Sequence, residues 1–403
     1  MSFDIAHARG LYTSLSDGWI YLNADSQPQV PETVAAAVSR SFRNARLMQT
    51  TAFDEQLSGT HAQAPALKFY GNEHINAARR ALADLTGTQA QCVILGAQLP
   101  MLYTHLSQAI RPLMRRGAHL ISSRADRNCI DPTIAGIGEV RYSEPDVGTA
   151  EVPAWQYKDL VSGSTRLVSL SAAHPHVGVL NPVAEISQIV HEQSRSWVLC
   201  DVTALVGAKP VSFQELGVDI IALDCAALGG PEIAALIFRD ASMFPRIDTT
   251  ALEFPISAGL AGGVAAIVDH IADLAGEQRG SRRNRLQSAV QETGAYLASL
   301  SRYLVDSLSV LPKVHLFGIT GELARNAKTE RIPRISFCMA GVPAHTIYKR
   351  LLSHGIITTM TGNDPLLNIM GAAETQGVIS IGLSAFNTTN DIDQLLRALA
   401  SLA

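Results

Sequence analysis

The chain has 403 residues, 47% hydrophobic and 17% charged, and its 32 Lys and Arg against 36 Asp and Glu give a formal charge of −4. That length suits one large core with a second, smaller unit, and the near-neutral balance argues against a nucleic-acid footprint. No apolar run is long enough to span a membrane, and the first residues lack the charged start and apolar core of a secretory signal.

Two residue types need a closer count. The five cysteines (Cys92, Cys129, Cys200, Cys225 and Cys338) are scattered and form no CxxC pair. That pattern suits a reducing, cytoplasmic compartment without a disulfide framework or structural zinc. Only six of the basic residues are lysine: Lys68, Lys158, Lys209, Lys313, Lys328 and Lys349.

In chain order, residues 46–70 have no clean period and read as a long loop of the kind that covers a site. Residues 92–95 and 119–122 read as strands flanking a helix rich in Leu and Met. Residues 166–170 form a short apolar strand. Pro182 then opens a helix with Val183, Ile186, Ile189 and Val190 on one face, and residues 197–200 form a strand ending at Asp201. Strand, helix and strand make a βαβ unit, which implies parallel strands. The pattern continues through residues 220–223, a turn at Gly229-Gly230-Pro231, and residues 234–238.

Residues 258–309 read as helical, with Arg279, Arg282, Arg283 and Arg285 as a solvated face. Then come a strand at 335–339, a helix at 344–354, strands at 356–359 and 378–383, and a last helix. Thr388-Thr389-Asn390-Asp391 approximates a capping box, and Ile392, Leu395, Leu396 and Leu399 make one stripe of that helix. The architecture is α/β: a mostly parallel sheet with helices on both faces, plus a smaller α+β C-terminal unit. We place an N-terminal segment packing on the small domain at 1–20, the large domain at 21–275, and the interdomain helix and small domain at 276–403.

The order of segments resembles the class V aminotransferases, in their cysteine desulfurase-like branch. The stretches DGWIYLNADSQPQVPETVAAAVSRSF, ARRALADLTGTQAQCVILGAQ, TRLVSLSAAHPHVGVLNPVAEISQIVHEQSRSWVLCDVTALVGAKPVSFQELGVDIIAL and GVISIGLSAFNTTNDIDQLLRAL carry the likeness. The resemblance implies a type I pyridoxal-phosphate transferase fold, a homodimer, and a site between domains and subunits. It also implies four chemical parts: an acid at the ring nitrogen, donors for the phosphate, a Schiff-base lysine, and an arginine for the substrate carboxylate.

Asp201 falls on the ring-nitrogen acid, although a strand-end Asp also caps turns. Gly96-Ala97-Gln98 falls on the phosphate turn, or is an ordinary βα turn with Gln98 in place of a hydroxyl. The lysine falls on Ala226, and no lysine occurs between Lys209 and Lys313. The carboxylate arginine falls on Ser380. The ring-stacking histidine falls on Arg127 or Asn128, the Asn of N-x-x-G on Pro175 between His174 and His176, the ring-hydroxyl Gln on Ala204, and the cross-subunit Gly-Thr on Pro255-Ile256. No cysteine lies between Thr358 and Gly377, where a desulfurase nucleophile belongs. Cys225 and Cys338 read as packed core residues.

The residues set as candidates for the cleft are therefore Asp201, Gly96, Ala97, Gln98, Asn128, His174, His176, Cys225 and Ala226, with no metal site. Gly136-Ile137-Gly138 makes no dinucleotide fingerprint. The leading expectation is a degenerate family member with pyridoxal phosphate at most non-covalent, or none. Two alternatives stand beside it. One is an enzyme using pyridoxal or pyridoxamine phosphate without a lysine, with His174, His176 or Cys225 as base. The other is a non-catalytic partner of an active relative.

Overall fold

The computed structural model describes residues 3–49, 69–126, 139–276, 279–318 and 331–402. The segments holding Arg127, Asn128, Gly136-Ile137-Gly138 and most of the long loop after Arg46 lie outside these residues.

Strand β1 (Ile20–Tyr21) precedes a seven-stranded sheet made of β2 (Val93–Gly96), β3 (His119–Ser123), β4 (Glu139–Ser143), β5 (Thr165–Ser171), β6 (Trp197–Asp201), β7 (Ile220–Asp224) and β8 (Ala234–Phe238). The spatial order is β2-β8-β7-β6-β5-β3-β4. The run from β4 to β7 is parallel, and β8 lies antiparallel between β7 and β2. Val198, Leu199, Cys200, Ile221, Ala222 and Leu223 are all fully buried. Continuous apolar runs of this kind belong to strands covered on both faces.

The helices are α1 (Ile5–Gly10), α2 (Glu32–Asn44), α3 (Tyr70–Thr86), α4 (Leu99–Ala109), α5 (Val183–Gln193), α6 (Ala258–Asp273), α7 (Arg282–Ser309), α8 (Ala344–Ser353) and α9 (Thr389–Ala400). The sequence expectation for α5 holds in detail: Val183, Ile186, Ile189 and Val190 form its buried face.

One expectation needs correction. The arginine cluster at the start of α7 is not simply a solvated face. Arg282 donates to Asp84 and Asp269, each at 2.8 Å, and Arg285 pairs with Asp269 and Asp273. These pairs tie α7 to α3 and α6.

A second sheet has the order β12-β13-β10-β9, all antiparallel. Its strands are β9 (Val314–Leu316), β10 (Arg334–Met339), β12 (Thr359–Thr361) and β13 (Val378–Gly382). Leu304, Phe337, Ile347, Ile381 and Leu395 form a core of their own beneath it. The single strand expected at 356–359 is two. Strand β11 (Ile356–Ile357) pairs in parallel with β1, and β12 joins β13 after a break at Thr358.

The capping box of α9 is complete. Thr388 Oγ1 accepts from Asp391 N–H, and the Asp391 carboxylate accepts from Thr388 N–H. At the other end of the chain, Ala8 of α1 packs with Leu274 and Ala385, and Arg9 donates to Phe386 O at 3.0 Å. No helix among the described residues is long and apolar enough to cross a membrane.

Candidate functional site

Strands β5, β6 and β7 end side by side on Ser171, Asp201 and Asp224. The C-terminal ends of parallel strands are where open α/β sheets place their ligands. Here a cavity of about 320 Å³ opens over those ends. Ala125, Asp126, Thr203, Ala204 and Ala227 complete the wall on the side of the large sheet. Asp25, His174, His176, Arg334 and Asp364 face them.

The large-sheet wall is crowded with carboxylates. Burial pushes Asp126 up to about 7, and the charges of Asp201 and Asp364 add to the rise against the opposing Ser171 hydrogen bond. Burial also raises Asp201, although the Thr203 hydroxyl and N–H stabilise its charge, the latter from 2.9 Å. Burial raises Asp224, with Ala226 N–H opposing from 3.0 Å. Carboxylates desolvated together in this way favour shared protons or a cationic guest.

The opposite wall is built by a turn, the residues after β1, and β10. His174 and His176, two residues apart, have different partners. His174 Nδ1 accepts the backbone N–H groups of His176 and Val177, at 3.3 and 3.1 Å. Its proton is therefore on Nε2, which faces Asp364 Oδ1 at 3.3 Å. Burial raises Asp364, but the hydrogen bond from His174, with Leu367 N–H, outweighs it and holds that carboxyl below the usual range. Asp364 Oδ2 is buried with no hydrogen-bond partner among the described residues.

His176 donates instead from Nδ1 to Asp25 Oδ2 at 3.0 Å, and Asp25 Oδ1 accepts the Thr359 hydroxyl at 2.8 Å. Nε2 of His176 has no partner among the described residues. Asp25 thus fixes the ring of His176, while His174 is locked by the turn.

Arg334 donates from Nη1 to Leu383 O at 2.9 Å and from Nη2 to Ala24 O at 3.0 Å. Burial pulls its pKa down, and Asp25 partly offsets that. Together with Ala24, Ala204 and Ala227 it also walls a smaller chamber of about 90 Å³, which reaches Thr293 and the Tyr12–His270 hydrogen bond.

Asp201, His174 and His176 line one cavity, and several of their expected neighbours do not. Ala227, not Ala226, lines the cavity, and both belong to the 3-10 turn Ala226–Leu228. Cys225 is fully buried beside that turn and does not line the cavity; burial raises its thiol pKa, which removes it as a base. Gly96, Ala97 and Gln98 precede α4 but do not line the cavity, which Leu99 reaches. A Cβ on Gly96 would lie 2.7 Å from Leu102, so packing against α4 already accounts for that glycine. Ser380 is buried between Ser336 Oγ at 2.8 Å and Thr361 Oγ1 at 3.1 Å, away from the cavity. Asn128 lies outside the described residues. No group of three metal-ligating side chains occurs among those described.

Sequence reasoning missed Asp25, Asp126, Asp364 and Arg334. On the cavity wall a pyridoxal ring would find Asp201 for its nitrogen, whereas the turn before α4 reaches that wall only through Leu99. Among the described lining residues there is no lysine to bind the ring covalently. The residues present fit a group held without an imine and do not fit one held through it.

The sequence profile of the family Aminotransferase class-V matches residues 135–245. The chain is 32% identical over 418 residues to the uncharacterized protein MT3887 of Mycobacterium tuberculosis, covering 100% of each. It is 22% identical to the aminotransferase-like protein FGM3 of Gibberella zeae, covering 99% of this chain and 98% of that one. Its fold matches the cysteine desulfurase CsdA from Escherichia coli with a TM-score of 0.78 at 18% identity, over 100% of this chain and 98% of the other.

The architecture is thus the type I fold of the pyridoxal-phosphate transferases. The chain belongs to the class V aminotransferase family, and it shares its fold with cysteine desulfurases.

Proposed function

We propose that this chain is a degenerate class V aminotransferase that binds a small ligand non-covalently in the family's cleft and makes no Schiff base. One observation carries the reading. The turn after β7 carries Ala226 where the family resemblance calls for a lysine, and its neighbour Ala227 is the residue that lines the cavity. A methyl group forms no imine and moves no proton. The chemistry left in the cleft is hydrogen bonding, charge, and the imidazole of His176 held by Asp25.

A second reading, pyridoxal or pyridoxamine phosphate held without a lysine, draws support from Asp201 on the cavity wall. In that case Asp201 would hold the ring nitrogen, and the group would supply an electron sink.

The test is to purify the chain with added pyridoxal phosphate, treat it with borohydride, and measure intact mass and peptide masses. We expect no adduct on a cavity residue. Absorbance that leaves on dialysis would favour the second reading. A borohydride-stable adduct on a lysine at this cleft would overturn the non-covalent assignment.

We also propose a homodimer. Phe42, Leu47, Met48, Phe69 and Tyr70 cluster around the Met48–Phe69 bridge, each at least 40% exposed. Apolar side chains grouped in this way favour a covered interface. The free cysteines at 92, 200, 225 and 338 are buried, which suits a cytoplasmic setting.

A further inference from the structure

We propose that Arg334 is the anion anchor of this cavity and takes the carboxylate of a small zwitterionic ligand. The inference rests on the non-covalent reading above and names the ligand class of the same site. The family resemblance places a carboxylate arginine on β13, at Ser380. The charge is found one strand away.

Register shows how. Strands β10 and β13 are antiparallel, with Ser336 opposite Ser380 and Arg334 opposite Gly382. Residues two apart on a strand share a face. Arg334 and Ser336 therefore project from the same side of the sheet, and Arg334 is the diagonal neighbour of Ser380. Diagonal neighbours lie about 7–8 Å apart, a gap a long guanidinium side chain can span. Ser380 itself is sealed against Ser336 and Thr361.

The guanidinium is also aimed. Nη1 donates to Leu383 O at 2.9 Å and, at 3.5 Å, to Pro333 O, and Nη2 donates to Ala24 O at 3.0 Å, which fixes the plane of the fork and leaves one Nη2 hydrogen unspent among the described residues. Nε has no partner among the described residues. A planar fork with unspent donors suits a carboxylate better than a point charge does.

Charge places the rest of the ligand. Arg334 is the one Lys or Arg among the described lining residues; Asp126, Asp201 and Asp224 stand on the large-sheet wall, while Asp25 and Asp364 on its own wall are engaged with His176 and His174. An anion belongs at the first pole and a cation at the second.

The experiment uses two probes that differ only in the anion: L-alanine and L-alaninamide. Binding of each is measured by calorimetry on the full chain, free of added cofactor, for wild type, Arg334→Gln and Arg334→Lys. A hydrogen bond to a charged group supports a preference of roughly 10- to 100-fold for alanine in the wild type. Arg334→Gln keeps an amide donor for one of the carbonyls and removes the charge, so the preference should fall to about one, with thermal unfolding measured beside it to confirm that the variant is folded. Arg334→Lys should keep part of it.

Equal affinity of the two probes for wild type would overturn the assignment, as would no binding of either at tens of millimolar. So would an undiminished preference in Arg334→Gln. If that variant fails to fold, the wild-type comparison still decides. The two tests fail separately. A lysine adduct removes the non-covalent reading, and a flat alanine to alaninamide ratio removes Arg334 while leaving the cavity non-covalent.

Discussion

Two places in the molecule should carry a cation by family resemblance: the turn after β7 and the strand β13. Both carry a small neutral residue: Ala226 in one, with Ala227 beside it on the cavity wall, and Ser380 in the other. Their surroundings differ. Around Ala227 the cavity wall offers Asp224, Thr203 and Ala204, and no amine among the described residues. Beside Ser380 the next strand supplies Arg334 on the same face. The difference follows from what each cation does. An imine needs one nitrogen at one point, so no neighbouring position replaces it. A carboxylate clamp works through charge and hydrogen bonds that tolerate displacement, and a sheet offers equivalent positions on adjacent strands.

The largest effect should come from breaking the joint that holds the Arg334 side of this comparison in place. The turn from His174 to Gly178 docks its tip on the segment leading into β10. Gly178 has φ +79, and a Cβ there would lie 2.3 Å from Arg334 O and 2.8 Å from Ile332 O. Both obstacles are backbone, so neither can swing away. Gly178→Ala combines left-handed strain with overlap and should cost about 5 kcal/mol. Urea denaturation, or loss of soluble protein, reads it. A loss below about 1 kcal/mol would show that this turn does not fix Arg334.

Much of the frame was legible because the signals are local. The apolar runs of β6 and β7, the stripe of α5 and the capping box of α9 stand in the sequence as they do in the structure. What was hidden depends on pairs far apart in the chain. Asp25 and His176 are separated by 151 residues, and nothing near either names the other. Arg334 follows a proline and reads as a residue just ahead of a strand. Only the register with β13 shows that it neighbours Ser380. Arg282 looked solvated because its acidic partners come from other helices. The slip from Ala226 to Ala227 has a different cause: two alanines in one short turn give no local mark of which faces the cavity.

The second prediction tests the negative pole that answers Arg334. Asp126 is raised to about 7, while an unfolded Asp titrates near 3.9. The folded form therefore holds the proton more tightly. Its stabilisation is complete below about pH 3.9 and is lost as pH rises through 7. At about 1.4 kcal/mol per pH unit, up to about 4 kcal/mol disappears across that range. Asp126→Asn should remove this slope. His270, lowered to about 4 by burial, acts in the opposite sense, losing its stabilisation as pH falls from 6.5 toward 4. It is present in both proteins and cancels in their difference. Urea titrations at a series of pH values give that difference. Equal slopes in wild type and Asp126→Asn would mean that the proton is held elsewhere on the wall, and the pole opposite Arg334 would have to be redrawn.

The smallest expected effect separates stability from recognition. Thr388 caps α9 through the reciprocal bonds with Asp391 and does not line the cavity. Thr388→Ala removes one arm of the box and should cost about 1 kcal/mol, a shift of a few degrees in the thermal midpoint. Because the lost hydrogen bond leaves β10 and β13 paired, the alanine to alaninamide ratio should not move. If it falls along with the midpoint, the ratio follows general loosening of the small sheet, and the loss seen in Arg334→Gln would no longer single out its charge. If only the midpoint falls, the contrast between the two lost cations stands: one position has no substitute, and the other has a substitute one strand away.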